Sequence, residues 1–167
     1  VTGAGKRLQT DSSTGQSTST ESVSGFTNSG FTLPGGWNPM VNASNQEYVG
    51  WTFRKAPKFF DIVTYTGTGS ARTIAHNLGV IPGAIFIKQT NATGDWYVYH
   101  RVMQSSNPAA KVMYLNTTNE AQSSTGAFND TEPTASVFSV GKSIKRSFPA
   151  KILGFSRQNS TGRVGRV

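Results

Sequence analysis

A chain of 167 residues can build one domain with a real core but not two large ones, and without cysteine it has neither disulfides nor thiolate metal ligands. The net charge of +8 suggests a polyanion partner until its distribution is read: no acidic residue follows Glu132, whereas Lys142, Lys145, Arg146, Lys151, Arg157, Arg163 and Arg166 all do. Charged residues are only 14%, and Val, Ile, Phe, Tyr and Trp among many Ser, Thr, Asn and Gly favour strands joined by polar turns over helices.

The chain starts at Val1 with no apolar run of signal-peptide or membrane-span character nearby, and it reads as a piece or processed form of a longer product. The stretch "TDSSTGQSTSTESVSG", residues 10–25, has almost nothing to bury and reads as a linker or a surface-draped arm, so residues 1–25 are predicted to be a flexible arm or linker whose order would come from a neighbour. Trp37, in "LPGGWNP", is placed on a loop, either outward for contact or folded back over one end of the domain. "EYVGWTFRK", residues 47–55, alternates Val49, Trp51 and Phe53 with Tyr48, Gly50 and Thr52, the period of a half-buried strand that Pro57 ends.

"FFDIVTYT" is a second strand, and the glycines of residues 67–70 suit a hairpin into "ARTIAHN". Leu78-Gly79 and Pro82-Gly83 signal further turns. "GAIFIKQT" is apolar on both faces and is expected to be a central strand. In "WYVYHRV", Trp96, Val98 and His100 share one face and Tyr97, Tyr99 and Arg101 the other; one face must be core and the other is a candidate contact surface. "KVMYLN" and "SVFSVG" add two strands around a long polar loop pinned by Phe128, and "AKILGF" is the one strand candidate in the basic C-terminal segment. Roughly eight strands suffice for an all-β fold, a β-sandwich of jelly-roll type over residues 26–141, with a basic C-terminal tail over 142–167.

The chemical motifs fail on spacing. "GTGSAR" puts Arg72 where a dinucleotide loop needs its third glycine, and a strand follows rather than a helix. "GKS" at residues 141–143 has Ser136 where a P-loop needs glycine. His76 and His100 stand without a cysteine or a nearby carboxylate set, so no metal site and no cofactor are expected. No nucleophile-elbow pattern supports a Ser-His-Asp site. Paired-carboxylate chemistry could draw only on Asp61, Asp95, Asp130 and Glu132, and "NDTEP" is better read as a turn. Sequons at Asn42, Asn91, Asn116, Asn129 and Asn159 follow from composition. The basic tail lacks the interleaved aromatics of a single-strand binder, so no specific nucleic acid is expected.

The phrases "FFDIVTYTGTGSARTIAHNLGVIPGAIFIK", "DWYVYHR" and "YLNTTNEAQSSTGAFNDTEPTASVFSVG" together resemble a module that recurs in virion structural proteins and tail fibres of tailed bacteriophages, notably phages of marine bacteria and cyanobacteria. The resemblance covers about residues 25–141. It implies a β-sandwich repeated along a fibre, with no catalytic residues attached to the pattern. "NQEYVGWTFRKAPKFF" is similar to the closing strand of one module and the linker to the next. In the family "VFSVG" leads to another such closing strand; here it leads to the basic tail. Residues 47–53, a strand from a neighbour, or the tail through residues 152–155 could each fill the missing place.

The reading is a non-enzymatic phage structural protein of the virion, in a tail fibre or appendage, acting in assembly and host-surface attachment. Its expected partners are copies of itself, as a homotrimer by the resemblance, other virion proteins and a host cell-surface glycan. Trp37, Trp96, Tyr97, Tyr99 and Arg101 are the candidate ligand or partner contacts, and Lys142, Lys145, Arg146, Arg163 and Arg166 the candidate assembly residues of the tail. A lectin-like domain of a secreted protein is the alternative, and a polysaccharide depolymerase a weaker one.

Overall fold

The computed structural model describes residues 3–35 and 41–144, and the backbone alone of residues 149–155. The fold is all-β. Two short antiparallel pairs come first, β1 (Lys6–Arg7) with β2 (Ser17–Thr18) and β3 (Gly25–Phe26) with β4 (Phe31–Thr32). The longer strands follow: β5 (Phe60–Thr66), β6 (Arg72–Ala75), β7 (Ala84–Gln89), β8 (Trp96–His100), β9 (Lys111–Tyr114), β10 (Gln122–Ser123), β11 (Val137–Val140) and β12 (Pro149–Phe155).

Six of them form one antiparallel sheet in the order β10-β9-β8-β7-β12-β5, and β6 pairs with β11 in a second, two-stranded layer. The turn after β5 was expected to close a hairpin. Instead it carries the chain out of the large sheet, because β6 takes Val137 to Val140 as its partners rather than β5. Gly69 at φ 79 supplies the left-handed residue this crossing needs.

Alternation decides what each strand buries. Ile85 and Ile87 of β7, Tyr99 of β8 and Val112 of β9 point to one face and meet Ile74 of β6 with Phe138 and Val140 of β11. Phe128, 1% exposed, brings the long polar loop down onto this core, and its ring meets that of Tyr99 edge-on at 5.6 Å. Burying each of these large apolar side chains stabilises the fold by roughly 1.5–3 kcal/mol, so this layer contact holds the two sheets together.

The other face of the sheet lies under the N-terminal arm. The Trp96 indole N–H donates to the carbonyl of Gln9 at 2.8 Å, the Lys88 ammonium to that of Ser13 at 3.1 Å, and the Gln16 N–H to that of Thr90 at 2.6 Å. Gly15 lies so close to the strand end that a Cβ there would stand 2.9 Å from the Ala92 carbonyl oxygen. The arm is draped over the sheet, one of the two readings of its sequence, and takes its order from its own domain rather than from a neighbour.

One expectation about a strand meets a different outcome, and of the three candidates for the closing place it is the C-terminal segment that takes it. Residues 47–55 are extended but belong to no sheet, linked to β5 by one bridge, Ala56 to Phe60. Residues 149–155, assigned to the basic tail, form β12 and lie between β5 and β7, with Ile152 opposite Val63 on one side and Ile87 on the other. The chain's own C-terminal segment thus fills the closing position.

Candidate functional site

The four aromatic and basic candidates among the described residues, Trp96, Tyr97, Tyr99 and Arg101, do not come together. Tyr99 is fully buried, so it cannot meet a ligand; its hydroxyl donates to Glu132 Oε2 at 2.6 Å. Trp96, 4% exposed, is covered by the arm. Tyr97 is half-buried against Tyr114, ring centroids 5.3 Å apart, and its hydroxyl donates to the Ser143 carbonyl at 3.1 Å. Arg101 is exposed in the turn after β8, beside Val102, which is 72% exposed. Trp37 lies outside the described residues, as do Lys145, Arg146, Arg163 and Arg166, while Lys142 is exposed.

Four carboxylates and His76 make internal hydrogen bonds. Glu132 accepts from Tyr99 and, at 2.6 Å, from the N–H of Ala109, which satisfies an amide of the 3-10 turn at Pro108–Ala110. Burial and the Glu132 contact push the Tyr99 phenol well above its ordinary range. Asp130 accepts from the Asn107 side chain, and Asp95 from that of Asn116 at 2.9 Å. Asp61 accepts from the N–H groups of Asn77 and Ile62 and pairs with Lys55 at 2.9 Å. Burial raises the Asp61 pKa, but these hydrogen bonds and the ammonium outweigh it and hold the carboxyl below its ordinary 3.8. The His76 ring accepts at Nδ1 from the Leu78 N–H and reaches the Thr134 carbonyl through Nε2, which fixes the Nε2–H tautomer.

What remains for contact is apolar and exposed. Tyr48 is 53% exposed, Val49 83% and Trp51 80%, along a segment whose Gly50 lets the Phe31 ring approach to 3.3 Å from the place of a Cβ. One edge of the ribbon thus rests on β4 while Val49 and Trp51 face outward. Sequence reasoning found the alternation but read it as a half-buried strand. The signal against burial was the polar run "NASNQE" before it, which offers no partner strand for a hairpin.

A groove of about 410 Å³ lies beside the ribbon's end of the molecule, between Lys6, Arg7 and Leu8 of the arm and Val23, Phe26 and Val41. Lys6 and Arg7 are tied to Thr18 and Ser17 of β2, so its cations are shared with the arm's own hairpin. The arrangement offers surfaces for binding, with Asp61, Asp95, Asp130, Glu132 and His76 engaged in internal hydrogen bonds.

No curated protein and no solved structure matches the chain. A family model described as a domain of unknown function, DUF7483, matches residues 1–162, nearly the whole length. With arm, sheet and β12 all inside that match, the chain belongs to the DUF7483 family.

Proposed function

We propose that this protein is a non-enzymatic structural component of a phage virion, a module of a tail fibre or appendage that assembles with copies of itself, as a trimer, and contacts the host surface. The observation that carries the reading is the exposed ribbon of Tyr48, Val49 and Trp51 on a scaffold in which Glu132 and Asp61 are engaged in holding loops. A monomer gains nothing from displaying such a ribbon, whereas an assembling subunit does. The resemblance of its sequence phrases to phage virion modules supports the same reading, which takes the two packed layers as a sandwich of jelly-roll type.

An indole exposed as fully as Trp51 also suits stacking on a sugar ring, which keeps a lectin-like module as the second reading. In a fibre, weak glycan contacts of this kind gain strength from repetition, because effective concentration supplies the avidity. The test is the absolute mass of the 167-residue chain in solution, by light scattering at two salt concentrations. A salt-resistant trimer is expected. A stable monomer at both salts would overturn the fibre reading and move a glycan-binding screen to the front.

A further inference from the structure

The bridge between Ala56 and Phe60 is an antiparallel pair in which each N–H bonds the other's carbonyl, at 2.9 and 3.0 Å. Phe60 pairs with Phe155 of β12 on its other side, so the bridge marks the outer edge of β5. Continuing its register sets Lys55 opposite Asp61, where the ion pair at 2.9 Å already stands. One and two steps further along the same face, Phe53 would meet Val63 and Trp51 would meet Tyr65. In the chain itself the ladder stops: the Phe53 ring turns onto Phe60 at 5.5 Å and the ribbon leaves along Phe31.

The edge it leaves behind is unfinished. Among the described residues no strand pairs with β5 beyond Phe60 on that side. The Ile62 N–H is met by the Asp61 carboxylate and the Thr66 carbonyl by Arg72, with Thr64 open between them. Val63 and Tyr65 are only partly buried at the rim of the core, and the Tyr65 hydroxyl is enclosed without a hydrogen-bond partner among the described residues. A row of apolar side chains without a sheet and a sheet edge without its last strand therefore occur in one molecule, in matching register.

We propose that residues 48–54 of one copy add as a strand to the outer edge of β5 in a second copy, with Trp51 and Phe53 covering Tyr65 and Val63. The hinge is residues 56–59, where Lys58 at φ 62 makes the turn. Area favours a second copy as the occupant. From the exposures of Tyr48, Val49, Trp51 and Phe53, the ribbon presents roughly 400 Å² of apolar surface, as much as the largest patch on many monomers. Laid on a partner it covers a similar area of the receiving edge, roughly 800 Å² for each ribbon, and ribbons passed head to tail round a closed trimer bury roughly 2,400 Å² in all, enough for a stable assembly. The inference takes its occupant from the self-assembly reading and adds to it the surfaces, the register and the exchange.

The chain has no cysteine, so the register can be read by cross-linking. Thr52 and Thr64, both exposed, fall opposite each other in the continued register. Full-length T52C and T64C chains are mixed and oxidised. The expected result is a T52C–T64C heterodimer that dominates over either homodimer, with its yield cut at least tenfold when Trp51→Lys is added to the T52C chain. An oligomer by light scattering without that cross-link would overturn the strand exchange while sparing self-assembly. A monomer in which a T52C/T64C double variant closes an internal disulfide would overturn both, since the ribbon would then pair with its own β5.

Discussion

Glu132 is the residue on which a depolymerase reading and a structural one part. One oxygen takes the Tyr99 hydroxyl and the other the Ala109 amide, so the carboxylate joins the long loop to β8 and to the turn before β9. Glu132→Gln can present only one oxygen and sets an amide N–H₂ against one of those donors. The expected cost is about 1–3 kcal/mol, read as a lower urea midpoint with unchanged slope. Asp61 makes the corresponding pH argument. Its folded pKa lies below the ordinary 3.8, so its stabilisation is present above 3.8 and is lost as pH falls through the folded value. Asp61→Asn should therefore flatten the acid limb of the stability profile below pH 4 while lowering stability at neutral pH, measured by denaturant unfolding across the range.

At the scale of elements, the arm shows how a polar stretch becomes ordered without a core of its own. Its carbonyls at Gln9 and Ser13 serve as acceptors for Trp96 and Lys88, and Lys88, with no exposed surface, needs such partners. Burial lowers the Lys88 pKa, and Asp95 partly restores it. Gly15→Ala would force a Cβ against the backbone of residues 90–92, where no flexible side chain can yield. The expected outcome is faster proteolysis and hydrogen exchange across residues 9–19, with the melting of the sheet little changed. The strands β5 to β9 and β11 were legible because alternation and turn residues are local properties, and so was the pinning by Phe128, whereas β10 was hidden in what reads as a polar loop. The arm was not, because its order lies in backbone carbonyls that every sequence has. The ribbon was misread for a related reason: "EYVGWTF" has strand character, but pairing depends on where the chain goes after Lys55, and periodicity is silent on that. The candidate site suffered the same limit, since "WYVYHR" gives two faces but not the fact that both are covered, one by the arm and one by β11 and the loop of Phe128.

For the whole molecule, the position of β12 decides how the parts depend on one another. It is hydrogen-bonded on both sides, to β5 over its full length and to β7 from Ala150 to Phe155, so among the described residues β5 joins the sheet only through it. Those partners lie far back in the chain, and the loop closure this requires must be met before the ladder rewards it. Refolding should accordingly fall on the slow side for a chain of this size, in milliseconds to seconds. The sharper prediction is Ile152→Pro. Proline in a strand flanked on both sides removes a ladder bond and leaves a buried carbonyl facing a ring, where an edge strand would tolerate it. The expected loss is more than about 3 kcal/mol, a large share of an ordinary domain's 5–15, with β5 released together with β12. Hydrogen exchange would show protection lost over residues 60–66 and 84–89 while the β6 and β11 amides keep theirs longest. Wild-type protection across residues 60–66 in that variant would mean that β5 is held by something other than β12, and the closing role assigned to the C-terminal segment would fall.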